Sequence, residues 1–307
     1  MKKLHVTLEG ITDTTGYLFS LAKCFAAVLK NSEYKDYAED IIAASGFAFR
    51  MWVDGSQLCP SATSIWDFKQ QKEWFENSGL ICEYRERLWG EDAIEEERRL
   101  AAIALIRQSI DKQSAVVAWD VSGCEWGIIT GYDDTDNIFS ILKIDGSEDC
   151  LSYEKLGRLE IPILSVLAVA GKQEKPVNQL MADTKKLAVS HLNGMEWCEN
   201  AKGLAAYDAL VAFVKDKLTC DTAWNLEYYL GTYAALKWYA WQFFEKYGEA
   251  ELAEKYRTVY DAWKAAFDMK CSGDVTKQGV KEQIAGRLLA ARNAEREAVG
   301  LMEYGLE

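Results

Sequence analysis

Histidine is almost missing from this chain: among 307 residues only His5 and His191 occur. The eight cysteines, at positions 24, 59, 82, 124, 150, 198, 220 and 271, lie far apart, with no Cys-x-x-Cys pair. Two lone histidines and scattered thiols cannot supply the ligand spacing of a zinc site, so neither a metal nor a cofactor is expected. Walker, Rossmann and other glycine-rich phosphate loops are also absent. No apolar run approaches the roughly 18 residues of a membrane span, and Met1-Lys-Lys is not followed by the apolar core of a secretory leader. With free thiols, this points to a cytoplasmic protein without a membrane partner. Cations are in deficit as well. A net charge of −13 would repel a nucleic-acid backbone, so no nucleic-acid partner is expected.

Proline is the third scarcity. Pro60, Pro162 and Pro176 are the only three, and the chain beyond them is rich in Ala, Leu, Lys and Glu at helical spacing. That asymmetry marks a change of architecture near Gly171–Pro176, giving an α+β domain over 1–172 and an all-helical domain over 176–307. At 49% hydrophobic and 27% charged residues, both are expected to be globular. In the first part, helices are expected over 15–30, 36–44, 66–77 and 91–109. Strands are expected over 80–88 and 161–170, and 45–52 reads as a strand or buried turn. In the second part, helices are expected over 177–199, 203–218, 222–247, 249–269 and 276–304. Trp224, Tyr228, Tyr229, Tyr233, Trp238, Tyr239 and Trp241 spread over more than one helix face, which leaves open a homodimer contact or a ligand wall.

The most informative stretch is Cys124-Glu-Trp-Gly-Ile-Ile-Thr-Gly-Tyr-Asp-Asp134. It lies between the apolar runs Ala115–Val121 and Ile138–Ile144 and predicts a three-strand antiparallel meander. Papain-like cysteine enzymes commonly place their histidine on such a strand, as Gly-His-Trp-Val-Val-Val-Thr-Gly-Tyr-Asp-Asp, and the matching residue here is Glu125. Further upstream, Ser45-Gly-Phe-Ala-Phe-Arg50, Trp52 and Cys59-Pro-Ser-Ala62 resemble the BtrH-type family, named after the acyltransferase of butirosin biosynthesis. The resemblance covers the chain in outline. It implies a papain-like, cysteine-peptidase-like N-terminal domain followed by helices, and acyl-transfer chemistry.

Carried over by position, the resemblance gives Glu125 as a general base in place of histidine and Asp145 as the residue that would orient a base. Such scaffolds hold the nucleophile at the start of the first helix, where helix N–H groups stabilise an anion. The positions at that start are Thr14, Thr15 and Gly16, so Thr15 is a candidate nucleophile, with cap formation as its ordinary role. Cys24 lies about two turns further on and reads as core. Cys59, in a loop before Pro60, is the remaining thiol candidate. Arg50, at the end of an apolar run, needs an acid, a carbonyl or an anionic ligand, and with Trp52, Trp126 and Tyr132 it makes the candidate ligand-binding set. The usual Cys/His pair is missing at the expected places. Three readings therefore stand: a papain-like binder of a small-molecule or acyl/peptide-like ligand, an acyltransferase or amide hydrolase with a non-standard nucleophile, or a homodimeric interaction protein with a vestigial cleft.

Overall fold

A computed structural model describes residues 1–305, and it is mixed α+β. The chain divides into two compact units: Met1–Thr12, Ser20–Ile41 and Phe68–Lys175 form the first, and Asp13–Phe19, Ile42–Asp67 and Pro176–Glu307 the second. The cut at Lys175/Pro176 falls in the polar linker, but the division is not a single cut. Two segments of the N-terminal half, 13–19 and 42–67, group with the helices. Hydrogen bonds explain the regrouping. The Tyr233 hydroxyl accepts from Trp52 N–H at 2.8 Å and donates to the Trp52 carbonyl at 2.6 Å. Tyr229 likewise donates to the Cys59 carbonyl at 2.8 Å. Buried backbone groups must be paired, and here tyrosines of a distant helix pair them.

The first unit is built on a seven-stranded antiparallel sheet. Its strands are β1 (Lys2–Lys3), β3 (Leu80–Arg87), β4 (Val116–Ala118), β5 (Gly127–Asp133), β6 (Ile138–Leu142), β7 (Glu148–Ser152) and β8 (Leu164–Lys172); β2 (Trp52–Val53) belongs to the second unit. The order is β3-β8-β4-β5-β6-β7, with β1 beside β5. The meander is present as β4-β5-β6, in register Val117↔Ile128 and Ile129↔Ile141, and β7 extends it. Helix α4 (Glu95–Asp111) covers one face, where Ile103, Ile106 and Ile110 pack on Val116, Ile129, Phe139 and Val166. Helix α1 (Ser20–Lys30) packs on β4 and β5 outside that cluster, where the alternate residues Val117 and Ile128 are also buried. Two covered faces explain why these strands read as unbroken apolar runs. Phe25 of α1 stacks on Phe75 of α3 (Gln70–Glu76) at 3.8 Å between ring centroids.

The second unit contains α5 (Val177–Leu192), α6 (Leu204–Asp216), α7 (Ala223–Lys246), α8 (Ala250–Ser272) and α9 (Gln278–Tyr304), with a two-stranded ribbon of β2 and β9 (Ala201–Lys202). Its centre is polar as well as aromatic. Lys237 and Glu295, both without exposed side-chain surface, pair at 2.6 Å, and Tyr207 donates to the other Glu295 oxygen at 2.7 Å. Of the α7 aromatics, Tyr229, Tyr233 and Tyr239 are core, whereas Trp224 is 56% exposed. The segment 36–44 forms a 3-10 turn and then one turn of helix, α2 (Ile41–Ala44), in place of one continuous helix. No helix among the described residues is long and apolar enough to cross a membrane.

Candidate functional site

Helix α1 begins at Ser20, one turn later than periodicity suggests. The reason lies in Asp13, whose carboxylate accepts N–H groups of Thr15 (3.4 Å), Gly16 (2.8 Å) and Leu18 (3.2 Å) and so holds 13–18 as a turn. Gly16 takes φ +83°, which glycine adopts without steric penalty. Thr15 therefore does not stand on the first turn of the helix. Its hydroxyl donates to the Gly231 carbonyl at 2.8 Å and accepts from Tyr17 N–H at 3.2 Å. The residue that opens the helix is Ser20. Phe19 before it has no side-chain oxygen to cap the first turn, whose N–H groups have no acceptor within the helix.

Ser20 is buried, and its hydroxyl donates to Oε2 of Glu125. Glu125 stands two residues before β5, on the loop that follows β4. One turn along α1, the Cys24 thiol contacts the Trp126 carbonyl at 3.6 Å, so Ser20 and Cys24 lie along the chain at Glu125 and Trp126. Burial pushes the Glu125 carboxyl above its ordinary value, with the Ser20 hydroxyl opposing. Burial also raises the Cys24 thiol far above its usual range, which makes it an inert core residue. The loop carrying Glu125 is conformationally unusual. Asp120 and Cys124 both have φ +59°, a region that non-glycine residues seldom occupy.

The remaining candidates are distributed as follows. Asp145 is exposed and accepts Ser147 N–H (2.8 Å) and Oγ–H (2.6 Å), closing the turn between β6 and β7; Glu125's hydrogen bond is to Ser20. Cys59, also exposed, lies 3.1 Å from the Ser61 hydroxyl in the second unit. Trp126 is wholly buried and packs edge-on against Trp119 at 5.3 Å. The Tyr132 hydroxyl donates to Asp111 at 2.7 Å. In the second unit Trp52 stacks on Trp66 at 5.2 Å. Arg50 is buried beside Glu196 at 3.4 Å and donates to the Ser45 carbonyl at 2.6 Å, while His191 Nδ1 lies 2.8 Å from the same Glu196 carboxylate. The acid that Arg50 requires is therefore Glu196. Burial alone would push the Glu196 carboxyl up, but Arg50 and His191 outweigh it and hold it below its ordinary value.

The sequence pointed to Glu125 and did not point to Ser20, the residue that the structure sets beside it. The one available signal was the Asp13-Thr-Thr-Gly16 turn, which delays the helix to the next hydroxyl. Among the described residues no group of three or more His, Cys, Asp or Glu side chains could hold a metal ion. No protein-family model matches the chain, and no curated protein matches it either.

The raised pKa of Glu125 gives a direct expectation. An acid whose folded-state pKa lies above its unfolded value contributes stability that is full below the unfolded pKa and is lost as pH rises through the folded one. Glu125→Gln, whose carbonyl can still accept from Ser20, should therefore raise the melting temperature at neutral pH. The gain should be in the roughly 0.5–2 kcal/mol range typical of relieved functional strain. It should vanish once the pH falls below the ordinary carboxylate range. Thermal melts of both proteins across that range check it, and a pH-independent difference would contradict it.

Proposed function

We propose that the first unit is a papain-like scaffold in which Ser20 and Glu125 replace the cysteine and histidine of the thiol enzymes, and that it transfers or hydrolyses a small acyl group. The observation that carries this reading is the Ser20–Glu125 hydrogen bond, made at the N-terminus of a helix packed on an antiparallel sheet. In the first step the Ser20 oxygen attacks the substrate carbonyl carbon while its proton passes to Glu125. The C–N or C–O bond to the leaving group then breaks, and Glu125 returns the proton to the departing atom. Water or an acceptor nucleophile then attacks the acyl-serine and gives its proton to Glu125; the acyl C–O bond to Ser20 breaks, and Glu125 returns that proton to the Ser20 oxygen, which restores the pair. A carboxylate raised by burial is the better base for this work, because its proton affinity moves towards the operating pH. The first-turn N–H groups of α1 supply dipoles for the developing oxyanion. The BtrH-type resemblance points to the same acyl-transfer class.

A second reading is supported by the burial of Ser20: the pair recognises an acyl or peptide-like ligand without turnover. A fluorophosphonate probe separates the two, with peptide mapping of the adduct. The catalytic reading expects labelling at Ser20, abolished in Ser20→Ala and slowed about a hundredfold or more in Glu125→Gln. Intact protein that stays unlabelled at every pH would remove the catalytic reading and leave binding.

A further inference from the structure

We infer that Asp120 is a positioning residue for Glu125, holding the loop between β4 and β5 in the one shape that brings the Glu125 carboxylate to the Ser20 hydroxyl. This rests on the Ser20–Glu125 reading and adds to it a residue that touches neither side chain. Asp120 is only 4% exposed. Its two carboxylate oxygens do different jobs. Oδ1 accepts the N–H of Cys124 at 2.8 Å, and Oδ2 accepts the N–H of Ile161 at 3.0 Å. The first bond closes the loop on itself immediately before Glu125. The second ties it to the segment ahead of β8.

That segment is itself fixed. Arg87, buried in β3, donates to the carbonyls of Pro162 and Gly157. From the other side, the Ser122 hydroxyl accepts Ile144 N–H at 3.0 Å. At the loop's exit, a Cβ on Gly127 would stand 2.8 Å from a methyl of Val121, so the chain approaches too closely there for any other residue. The backbone between these anchors is left-handed at Asp120, Gly123 and Cys124. A free loop would relax out of two such non-glycine conformations, which persist only where their surroundings hold them. Two acceptors on a short arm, in a residue that tolerates positive φ, is a specification that aspartate meets and few other residues do.

The test reads Glu125 itself. Its side-chain carboxyl is titrated by carbon-13 NMR, the resonance being assigned by its loss in Glu125→Gln. The titratable groups around it are Cys24 on α1 and Cys124 on its own loop, with Asp120 and Glu160 beside Cys124. Asp120→Asn keeps the left-handed preference but has one acceptor, so one N–H is orphaned and the loop is released. Asp120→Glu keeps the charge and misplaces the oxygens. In both folded variants the Glu125 midpoint should fall towards the ordinary carboxylate value as the group gains water, and Ser20 labelling should slow about tenfold or more. A midpoint unchanged in either variant overturns the inference; a shift in Asp120→Asn alone would mark a charge effect and not positioning. The two ideas fail separately. Labelled Ser20 with unmoved midpoints removes the role of Asp120 only, whereas moved midpoints with no labelling of the parent protein remove catalysis only.

Discussion

Glu295→Ala should destabilise the helical unit by about 3–5 kcal/mol, a large share of the stability of an ordinary domain. The carboxylate sits without exposed surface on α9 and serves two partners. It takes the Lys237 ammonium at 2.6 Å and the Tyr207 hydroxyl at 2.7 Å. Tyr207 in turn accepts the Trp263 indole N–H at 2.8 Å. Truncation would leave an ammonium with the Ala48 carbonyl, at 3.1 Å, as its remaining acceptor. It would also orphan the buried Tyr207 hydroxyl, and such an orphan carries the full desolvation penalty. Burial already pushes Lys237 below its ordinary pKa, with Glu295 opposing it, so removing Glu295 would push it further down. Removing both partners is a different experiment. Lys237→Met with Glu295→Leu exchanges the charges for apolar volume and should cost much less than the single change. Denaturant unfolding of the single and double variants measures this. A single-variant loss under about 1 kcal/mol would mean that water already reaches the pair.

This network also shows what could and could not be read from the sequence. The helices of the second unit were legible because Leu252, Tyr256, Val259 and Trp263 keep one face apolar at helical spacing: the expected 222–247 and 249–269 are found as Ala223–Lys246 and Ala250–Ser272. Nothing in a periodic pattern reveals that Lys237 points inwards to meet an acid 58 residues away. The β4-β5-β6 meander was legible for the same reason, through β-branched runs between polar turns. β7 was not, because Glu148-Asp-Cys-Leu-Ser152 is an edge strand with one buried side chain, Leu151, and so carries no alternation to read.

The candidate site divides along the same line. Glu125 stood out because it occupies the histidine's position in the papain-like strand pattern that Trp126 to Asp134 resemble. Ser20 did not, because its partner is 105 residues away and the helix start depends on the Asp13 side chain capturing N–H groups that periodicity would assign to the helix. Side-chain capture of backbone donors competes with helix formation on nearly equal terms, so apolar spacing cannot decide such a boundary. Segment 42–67 groups with the helices by similar logic. Its backbone polar groups are satisfied by Tyr229 and Tyr233, and hydrogen bonds to distant side chains leave no mark on local composition.

Acidification should weaken the helical unit by about 3 kcal/mol between pH 6.5 and 4, through one histidine. His191, on α5, is 2% exposed, with Nδ1 2.8 Å from Glu196. Burial lowers its pKa to about 4, with the Arg50 charge acting in the same direction and Glu196 against it. A base whose folded pKa lies below its unfolded value binds fewer protons when folded. Its contribution is therefore complete above the unfolded value of about 6.5 and is lost as pH falls towards 4. Glu196 adds to the loss only lower down. Its folded pKa is depressed, so its contribution is full above its unfolded value of 4.5 and disappears as pH falls through the lower folded one. The scarcity of histidine makes the experiment clean, because the only other one, His5, is exposed. His191→Gln keeps a donor for Glu196 and cannot protonate, so its unfolding free energy should stay nearly flat between neutral pH and the carboxylate range while that of the parent protein declines. Parallel curves for the two proteins would mean that His191 is charged in the fold, and that the Arg50–Glu196 pair holds a second cation.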